Sequence, residues 1–177
     1  MGGHESQVQP MKWFAASVLF FLFGSCENPF APRLETQQIA TNSFLSDQKT
    51  IDGVFQNFIY AYTFRDTVVY SQLMASSFTF TYRDYDNGVD VAWGRDDEMR
   101  STSMMFQLVN RLELNWNNIY SETEDSLQAT VTRGFTLTVA FNPADISQVD
   151  GKAYFQLSRP SSSSPWQISL WRDESNF

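Results

Sequence analysis

The sequence predicts an α+β fold, in which two to three N-terminal helices pack on the concave face of a curved antiparallel sheet. Three features of the chain carry this prediction. An apolar stripe at helical spacing comes first, a strictly alternating strand follows it, and long alternating segments fill the C-terminal half. Helices followed by a series of strands are typical of α+β layering, because an amphipathic helix must bury its stripe against another element.

The three helices are predicted from apolar side chains that recur every three or four residues. The first helix follows the start of the domain near Asp47 and ends at about Phe64. Its stripe consists of Ile51, Val54, Phe55, Phe58 and Tyr62. A short second helix is capped by Asp66 or Thr67. The buried side of the third helix, after Gly94, consists of Met99, Thr102, Phe106 and Val109.

The strands are predicted from alternation of apolar and polar residues. The first strand carries Phe78, Phe80 and Tyr82, and a turn signal at Asp86-Asn87-Gly88 separates it from a returning strand. The closing strand carries Trp166, Ile168 and Leu170. Between them, the longest alternating segment has apolar residues at odd positions, namely Leu127, Ala129, Val131, Phe135, Leu137, Val139 and Phe141. An inserted residue would shift this phase, so Gly134 is expected to bend the strand without changing its register.

The N-terminus has a different composition from the rest of the chain. Lys12 precedes an uncharged apolar run, 13–23, that is short for a membrane span and has the layout of a secretory signal. Small residues then lead to Cys26, the only cysteine, and this arrangement is similar to the lipobox of bacterial lipoproteins. The resemblance implies a signal peptide over residues 1–25 and acylation of Cys26. Residues 26–46 would form a tether, and residues 47–177 the domain.

The charge of the chain limits its partners. The formal net charge is −8, and removal of residues 1–25 leaves it unchanged because that segment carries one lysine and one glutamate. Such a surface repels phosphate backbones and anionic headgroups, so nucleic acid is not an expected partner and membrane attachment depends on the acyl chains of Cys26. The predicted location is a Gram-negative cell envelope, lipid-anchored, either periplasm-facing or at the outer membrane surface.

The order of elements resembles the nuclear transport factor 2-like superfamily, which includes the SnoaL-like proteins. The resemblance covers about residues 47–173. It depends on the helix from Ile51, the strand at 78–82, the Trp93-Gly94-Arg95 start of the third helix, and the closing segments Trp166-Gln167-Ile168 and Trp171-Arg172-Asp173. It implies a cone-like fold with a cavity between helices and sheet. Members of the superfamily include isomerases, dehydratases, hydrolases and domains that only bind.

Arg133 is the most unusual candidate site residue, because it occupies an odd position on an otherwise apolar strand face. A buried guanidinium must be paired or must line a wet cavity. Asp84 continues the alternation of the first strand, so it is a candidate partner for Arg133. A functional interpretation makes the two residues the polar end of an apolar pocket. The simpler interpretation is a structural ion pair, or an arginine that reaches solvent at a sheet bend, and this interpretation is favoured.

The resemblance also suggests catalytic sets. Isomerases of the superfamily pair an aspartate base with a tyrosine donor, which Asp84 with Tyr62 or Tyr82 could supply. Its dehydratases use histidine, and the one histidine of this chain, His4, lies in the predicted signal. Its epoxide hydrolases use an Asp-Arg-Asp set, for which Asp84, Arg133 and Asp173 are candidates. No motif of the sequence places such a set, so the balance favours a binding protein over an enzyme.

Metal and cofactor binding are not predicted. The loop from Asp84 to Asp90 alternates carboxylates as a calcium loop does, but its glycine comes one place early. Arg95 stands where an EF-hand has its bidentate glutamate. A polar hairpin turn explains the same residues.

Aromatic residues supply the remaining candidates. Tryptophans on the predicted strands could line a pocket for a flat ligand, and the predicted ligand-binding set is Tyr62, Tyr82, Asp84, Trp93, Trp116 and Arg133. Trp171 has the opposite parity from Trp166, Ile168 and Leu170, so it is expected on the outer sheet face. The resemblance implies that this face could serve a homodimer or a docked protein, because domains of the superfamily often dimerise or dock a partner there.

The sequence therefore predicts an envelope lipoprotein whose cone-fold domain binds a small apolar ligand or a protein partner without catalysis. Two alternatives stay open. One is an isomerase or hydrolase that uses Asp84, Tyr82 and Arg133. The other is a scaffolding protein that dimerises through the sheet face.

Overall fold

The structure is a computed structural model that describes residues 44–175 together with Gly2 and Gly3. The helix predicted from the first apolar stripe is present as α1, Ile51–Phe64. The hydroxyl of Thr50 accepts a hydrogen bond from the Gly53 amide at 3.1 Å and caps the helix start. The helix ends at Arg65, whose φ of 54° is left-handed. All five residues of the predicted stripe are buried, so the predicted face is confirmed.

Most of the predicted signal peptide and most of the predicted tether lie outside the described residues. The described part of the C-terminal region, 44–175, belongs to one compact unit of the chain, Ala40–Phe177. Within the part that the structure describes, none of the helices combines the length and the apolar character that a membrane crossing requires. Acylation of Cys26 and the boundaries at residues 25 and 46 stay predictions.

The two other helices follow local signals in the sequence. Helix α2 spans Thr67–Leu73, and Asp66 caps it by accepting hydrogen bonds from the amides of Val68 and Val69 at 2.9 and 3.0 Å. Helix α3 spans Arg95–Leu108. Its acidic first turn suits the positive end of the helix dipole. Its buried residues are Glu98, Thr102 and Phe106.

Six strands form one sheet in the described part of the chain. They are β1 (Met74–Asp84), β2 (Val89–Gly94), β3 (Arg111–Glu124), β4 (Gln128–Asn142), β5 (Asp145–Ser158) and β6 (Gln167–Asp173). Their spatial order is β2-β1-β6-β5-β4-β3, and every neighbouring pair is antiparallel except β1 and β6, which run parallel. The sheet is therefore mixed because the last strand of the meander returns beside the first. The predicted α+β class, with helices on a curved sheet, is confirmed.

The long strand β4 keeps its register through Gly134. Its pairing with β5 runs without a shift from Gln128 opposite Ser158 to Ala140 opposite Ile146. The irregularity lies in the neighbouring strand β3, between Trp116 and Ser121. The prediction that Gly134 causes no register change is confirmed for the β4–β5 pair.

Trp171 lies on the concave face of the sheet, and the prediction of an outer position is wrong. Leu157 pairs with Ile168, whereas the preceding Gln156 pairs with Leu170, so β6 contains one extra residue between these pairs. This bulge reverses the parity of everything after it. The Trp171 ring consequently packs at 5.5 Å from Phe58 and cannot mark an outer dimer surface. A homodimer through the outer face of the sheet stays a prediction, but Trp171 does not support it.

Candidate functional site

A cavity of about 300 Å³ lies between the helices and the concave face of the sheet. Helices α1 and α3 form one side, and strands from β1 to β6 form the other. The aromatic part of its wall consists of Phe58, Tyr62, Phe80, Trp93, Trp116, Phe135 and Trp171. The aliphatic and thioether part consists of Met105, Leu114, Leu137 and Val149, and the polar part of Glu98, Ser101, Thr102 and Asp173. The wall is therefore mainly aromatic and contains two carboxylates.

The aromatic rings of the wall hold one another in fixed orientations. Phe80 and Trp93 stack with ring centroids 4.4 Å apart, and Trp171 meets Phe80 edge-on at 5.0 Å. On the opposite side, Trp116 meets Phe58 edge-on at 5.4 Å. Edge-to-face and offset contacts of this kind are favourable beyond their buried area. The cavity is consequently bounded by rings that pack against one another.

Glu98 is the buried carboxylate of this cavity, and only 5% of its surface is exposed. Its Oε1 accepts hydrogen bonds from the hydroxyls of Tyr70 at 2.6 Å and Thr102 at 2.9 Å. Its Oε2 accepts one from the indole N–H of Trp93 at 2.7 Å. No ion pair of the described residues includes Glu98. Three neutral donors therefore satisfy a carboxylate that has no cationic partner, which is an uncommon arrangement for a buried acid.

Glu98 is not among the site residues that the sequence predicts. It lies in the acidic first turn of α3 with Asp96 and Asp97, where acids normally face solvent. The spacing along α3 is the sequence feature that could indicate its burial. Glu98, Thr102 and Phe106 recur at every fourth position and therefore share one face of the helix. The other donors to its carboxylate come from α2 and β2, which only the tertiary structure brings near.

The two tyrosines beside this carboxylate are held in the protonated form. Burial raises the pKa of Tyr62, and the nearby Glu98 carboxylate raises it further. Burial likewise raises the pKa of Tyr70, with added contributions from Tyr62 and Glu98. Both hydroxyls can therefore act as hydrogen-bond donors throughout the physiological pH range.

Asp84 lies away from the cavity, at the exposed hairpin between β1 and β2. Its Oδ1 accepts a hydrogen bond from the amide of Asn87 at 2.9 Å, and its Oδ2 accepts one from the Asn87 side chain at 2.7 Å. These bonds hold the pKa of the Asp84 carboxyl below its usual value. The alternation along β1 ends here, because Asp84 is the last residue of the strand and its side chain turns to the loop.

Arg133 projects to the helix side of the sheet, as its parity predicts, but it does not contact Asp84. Its guanidinium lies 4.9 Å from the ring centre of Phe55, and its Nε donates to the carbonyl of Asn117 at 3.2 Å. Its Nη1 is 4.0 Å from Oδ1 of Asp52. Burial lowers its pKa, which Asp52 and Glu122 partly offset. The predicted pair of Asp84 and Arg133 is therefore wrong, since each residue has other partners.

The remaining candidate residues divide into two groups. Tyr62, Trp93 and Trp116 line the cavity. Tyr82 packs against the Trp93 ring at 5.8 Å and lines grooves outside the cavity, so the structure does not bring it together with Arg133. Ligand binding by any of these residues stays a prediction. No cluster of three or more histidine, cysteine, aspartate or glutamate side chains in the described chain could hold a metal ion.

Comparison with known proteins identifies the architecture. No family model matches the sequence, and no curated protein matches it. Solved structures do match. A dehydratase proposed for the NTF2-like family, from Streptomyces avermitilis, has a TM-score of 0.56 at 12% identity, over 74% of this chain and 97% of that one. A proposed scytalone dehydratase from Novosphingobium aromaticivorans has a TM-score of 0.61 at 11% identity, over 72% and 82% of the two chains.

A conserved protein from Planctomyces limnophilus matches with a TM-score of 0.59 at 17% identity, over 69% of this chain and 90% of that one. The chain has the nuclear transport factor 2-like fold. At these identities the likeness shows the fold alone, because one fold hosts many unrelated functions. Within this fold, the aromatic cavity around Glu98 is the candidate site.

Proposed function

We propose that the protein is a lipid-anchored envelope protein whose cone cavity binds a small apolar ligand without chemical conversion. The observation that carries the proposal is the cavity wall, in which seven aromatic side chains surround a space of about 300 Å³. Ligand pockets are typically concave and mainly apolar, with a few polar groups that fix orientation. The Glu98 carboxylate and the Asp173 side chain are the polar groups that could orient a ligand here.

The catalytic set predicted from the sequence is not assembled in the described cavity, which supports binding over catalysis. Asp84 and Arg133 lie outside the cavity wall, as does Tyr82. Glu98 does lie in the wall, but its carboxylate is held by three donors from three elements. Such bonds suit a fixed orienting group better than a base that must approach a substrate proton.

Binding to the cavity can be tested by filling it. The full chain is placed in lipid nanodiscs, and naphthylmethanol, a neutral flat ligand, is titrated by calorimetry against a blank of empty nanodiscs. Saturable binding of one ligand per chain is expected. Leu137→Trp places a large ring in the cavity wall and should weaken binding by about tenfold or more, because the ligand loses its space.

The matched control for this test is Leu108→Trp, which adds the same ring to a residue that is exposed and outside the cavity wall. Its binding should equal that of the unchanged chain. If Leu137→Trp binds as tightly as Leu108→Trp, the cavity is not the binding site and the proposal fails.

The membrane anchor is a separate part of the proposal. Cys26, preceded by an apolar run and small residues, supports acylation at that thiol. Cells that express the chain are labelled with a radioactive fatty acid and fractionated. The unchanged chain should carry label and sediment with membranes, and Cys26→Ala should lose the label. Equal labelling of both chains would overturn the anchor.

A second candidate function is an enzyme that uses Glu98 as its base, because Glu98 is an acid inside an apolar cavity. Hydrophobic esters, epoxides and enolisable ketones are suitable substrates for a screen. Turnover that Glu98→Gln abolishes, while Asp84→Asn leaves it unchanged, would establish this alternative. No turnover of any class is expected if the protein only binds.

A further inference from the structure

We propose that the ligand of the cone cavity is an apolar amine, bound as its cation between the Glu98 carboxylate and the aromatic rings of the wall. This inference rests on the proposed function and adds the charge of the ligand to it. It also predicts that the ammonium end of the ligand lies deepest, because Glu98 is the nearly buried acid of the wall.

The first argument is the missing positive charge in the wall. Among the described residues, the cavity wall contains Glu98 and Asp173 but no lysine, arginine or histidine. Arg95 is one helical turn before Glu98, yet its guanidinium donates to the carbonyls of Ser71 at 2.9 Å and Met74 at 3.5 Å. A buried carboxylate is stabilised by an opposite charge, and in this cavity the ligand is the group that could supply it.

The second argument is the number of hydrogen bonds that the carboxylate can still accept. Each oxygen of an ionised carboxylate has about two acceptor sites. Oε1 of Glu98 is occupied by the hydroxyls of Tyr70 and Thr102, whereas Oε2 receives only the Trp93 indole N–H. Oε2 can therefore accept one N–H of an ammonium group. Such a charge-assisted bond is stronger than a bond to a neutral donor.

The third argument is the aromatic wall. An ammonium group is attracted to the face of a tryptophan, tyrosine or phenylalanine ring within about 6 Å. The Trp93 indole is hydrogen-bonded to Glu98, and its ring stacks on that of Phe80 with centroids 4.4 Å apart. Aromatic surface and carboxylate therefore lie side by side. The two carboxylates and the negative faces of the rings disfavour an anionic ligand, although the indole N–H groups of Trp116 and Trp171 in the same wall have no partner among the described residues and can donate to an acceptor atom of a ligand.

The positive side chains near the mouth do not reverse this charge balance. Asp173 lines both the cavity and the grooves outside it, so it lies at the rim. Lys152 and Arg172 line one of these grooves, but both pair with Glu174, at 3.5 and 2.6 Å. Glu174 offsets one of their two charges, and neither side chain lines the cavity.

The test compares three ligands that share one ring system and differ in charge. Naphthylmethylamine is the cation, naphthylmethanol the neutral analogue and naphthylacetate the anion. Each is titrated by calorimetry into the full chain in lipid nanodiscs, with empty nanodiscs as the blank. The amine should bind about tenfold or more tightly than the alcohol, and the anion most weakly. Glu98→Gln should remove the preference for the amine while alcohol binding persists.

The matched control is Asp96→Asn, which removes one negative charge from an exposed position in the same helical turn, outside the cavity wall. It should keep the full preference for the amine. Alcohol binding to Glu98→Gln shows that this variant is folded.

The outcomes separate this inference from the proposed function. Equal binding of amine and alcohol to the unchanged chain would overturn the inference and leave the apolar site intact. A preference that survives in Glu98→Gln would also overturn it, since Glu98 would not be the cation partner. Failure of all three ligands to bind would overturn both proposals.

Discussion

The indole N–H of Trp93 donates a hydrogen bond of 2.7 Å to Oε2 of Glu98. This bond connects the edge strand β2 to the first turn of α3, and Tyr70 connects α2 to the same carboxylate at 2.6 Å. Three elements of the cone therefore meet at one buried acid. Because a buried carboxylate is costly without hydrogen bonds, these donors fix both the position of α3 and the shape of the cavity.

The Trp93 bond should be measurable as a coupling between its two residues. Trp93→Phe removes the donor and keeps an aromatic ring, while Glu98→Met removes the acceptor and keeps most of the side-chain volume. Denaturant unfolding of both single variants and the double variant gives the coupling free energy. We expect about 1 to 3 kcal/mol, because the bond has a charged acceptor and is partly buried. Additive losses would show that the bond does not stabilise the fold.

Phe58 should be among the most costly core residues to truncate. Its ring is 1% exposed and contacts Tyr70, Trp116 and Trp171. Phe58→Ala should lower the free energy of unfolding by about 3 to 5 kcal/mol in denaturant melts. Phe64→Ala, on the same helix at a ring that is 60% exposed, should cost far less. A loss below about 1 kcal/mol at Phe58 would mean that α1 does not bury this face.

The domain should lose stability in alkaline solution. Burial raises the pKa of Tyr70 and Tyr62 above the ordinary value of 10.0, so above that pH the unfolded chain releases these protons and the folded chain retains them. The contribution of these two tyrosines to the free energy of unfolding is therefore fully present below about pH 10. It falls as the pH rises further, by at most about 1.4 kcal/mol per pH unit for each tyrosine.

Urea melts between about pH 9 and pH 11 measure this slope. Tyr70→Phe should reduce it, because one of the two groups is removed. Tyr85→Phe, at an exposed tyrosine of the hairpin, is the control and should leave the slope unchanged. An identical slope in Tyr70→Phe and the unchanged chain would contradict the assignment.

The sequence predicts those parts of the fold that depend on local periodicity. The stripe of α1, the cap at Asp66 and the alternation of β4 through Gly134 are all present, because spacing alone determines which side of an element is apolar. Prediction by parity failed at Trp171, where a bulge in β6 inserts one residue. Nothing in the local sequence of β6 signals this insertion, which is visible only in the pairing of β6 with β5.

The candidate site is less predictable than the fold. Tyr62, Trp93 and Trp116 could be assigned to the cavity because large aromatic residues on inward faces must meet there. Glu98 could not be assigned to the cavity in this way, because its burial depends on hydrogen bonds from Tyr70 and Trp93, which belong to other elements. Asp84 and Arg133 were paired by strand parity alone. Their nearer partners, Asn87 and Asp52, lie in a turn and on a helix that parity does not describe.

The central claim, that the cone cavity is the ligand site, is tested most directly by fluorine NMR of the full chain labelled with fluorotryptophan. Trp93, Trp116 and Trp171 line the cavity, whereas Trp166 is fully buried outside its wall, 4.0 Å from the guanidinium of Arg159. Single Trp→Phe variants assign the resonances. On titration with naphthylmethanol, the resonances of Trp93, Trp116 and Trp171 should shift together and saturate, while that of Trp166 stays in place. Saturable shifts confined to Trp166, or binding that moves none of the three cavity resonances, would contradict the claim.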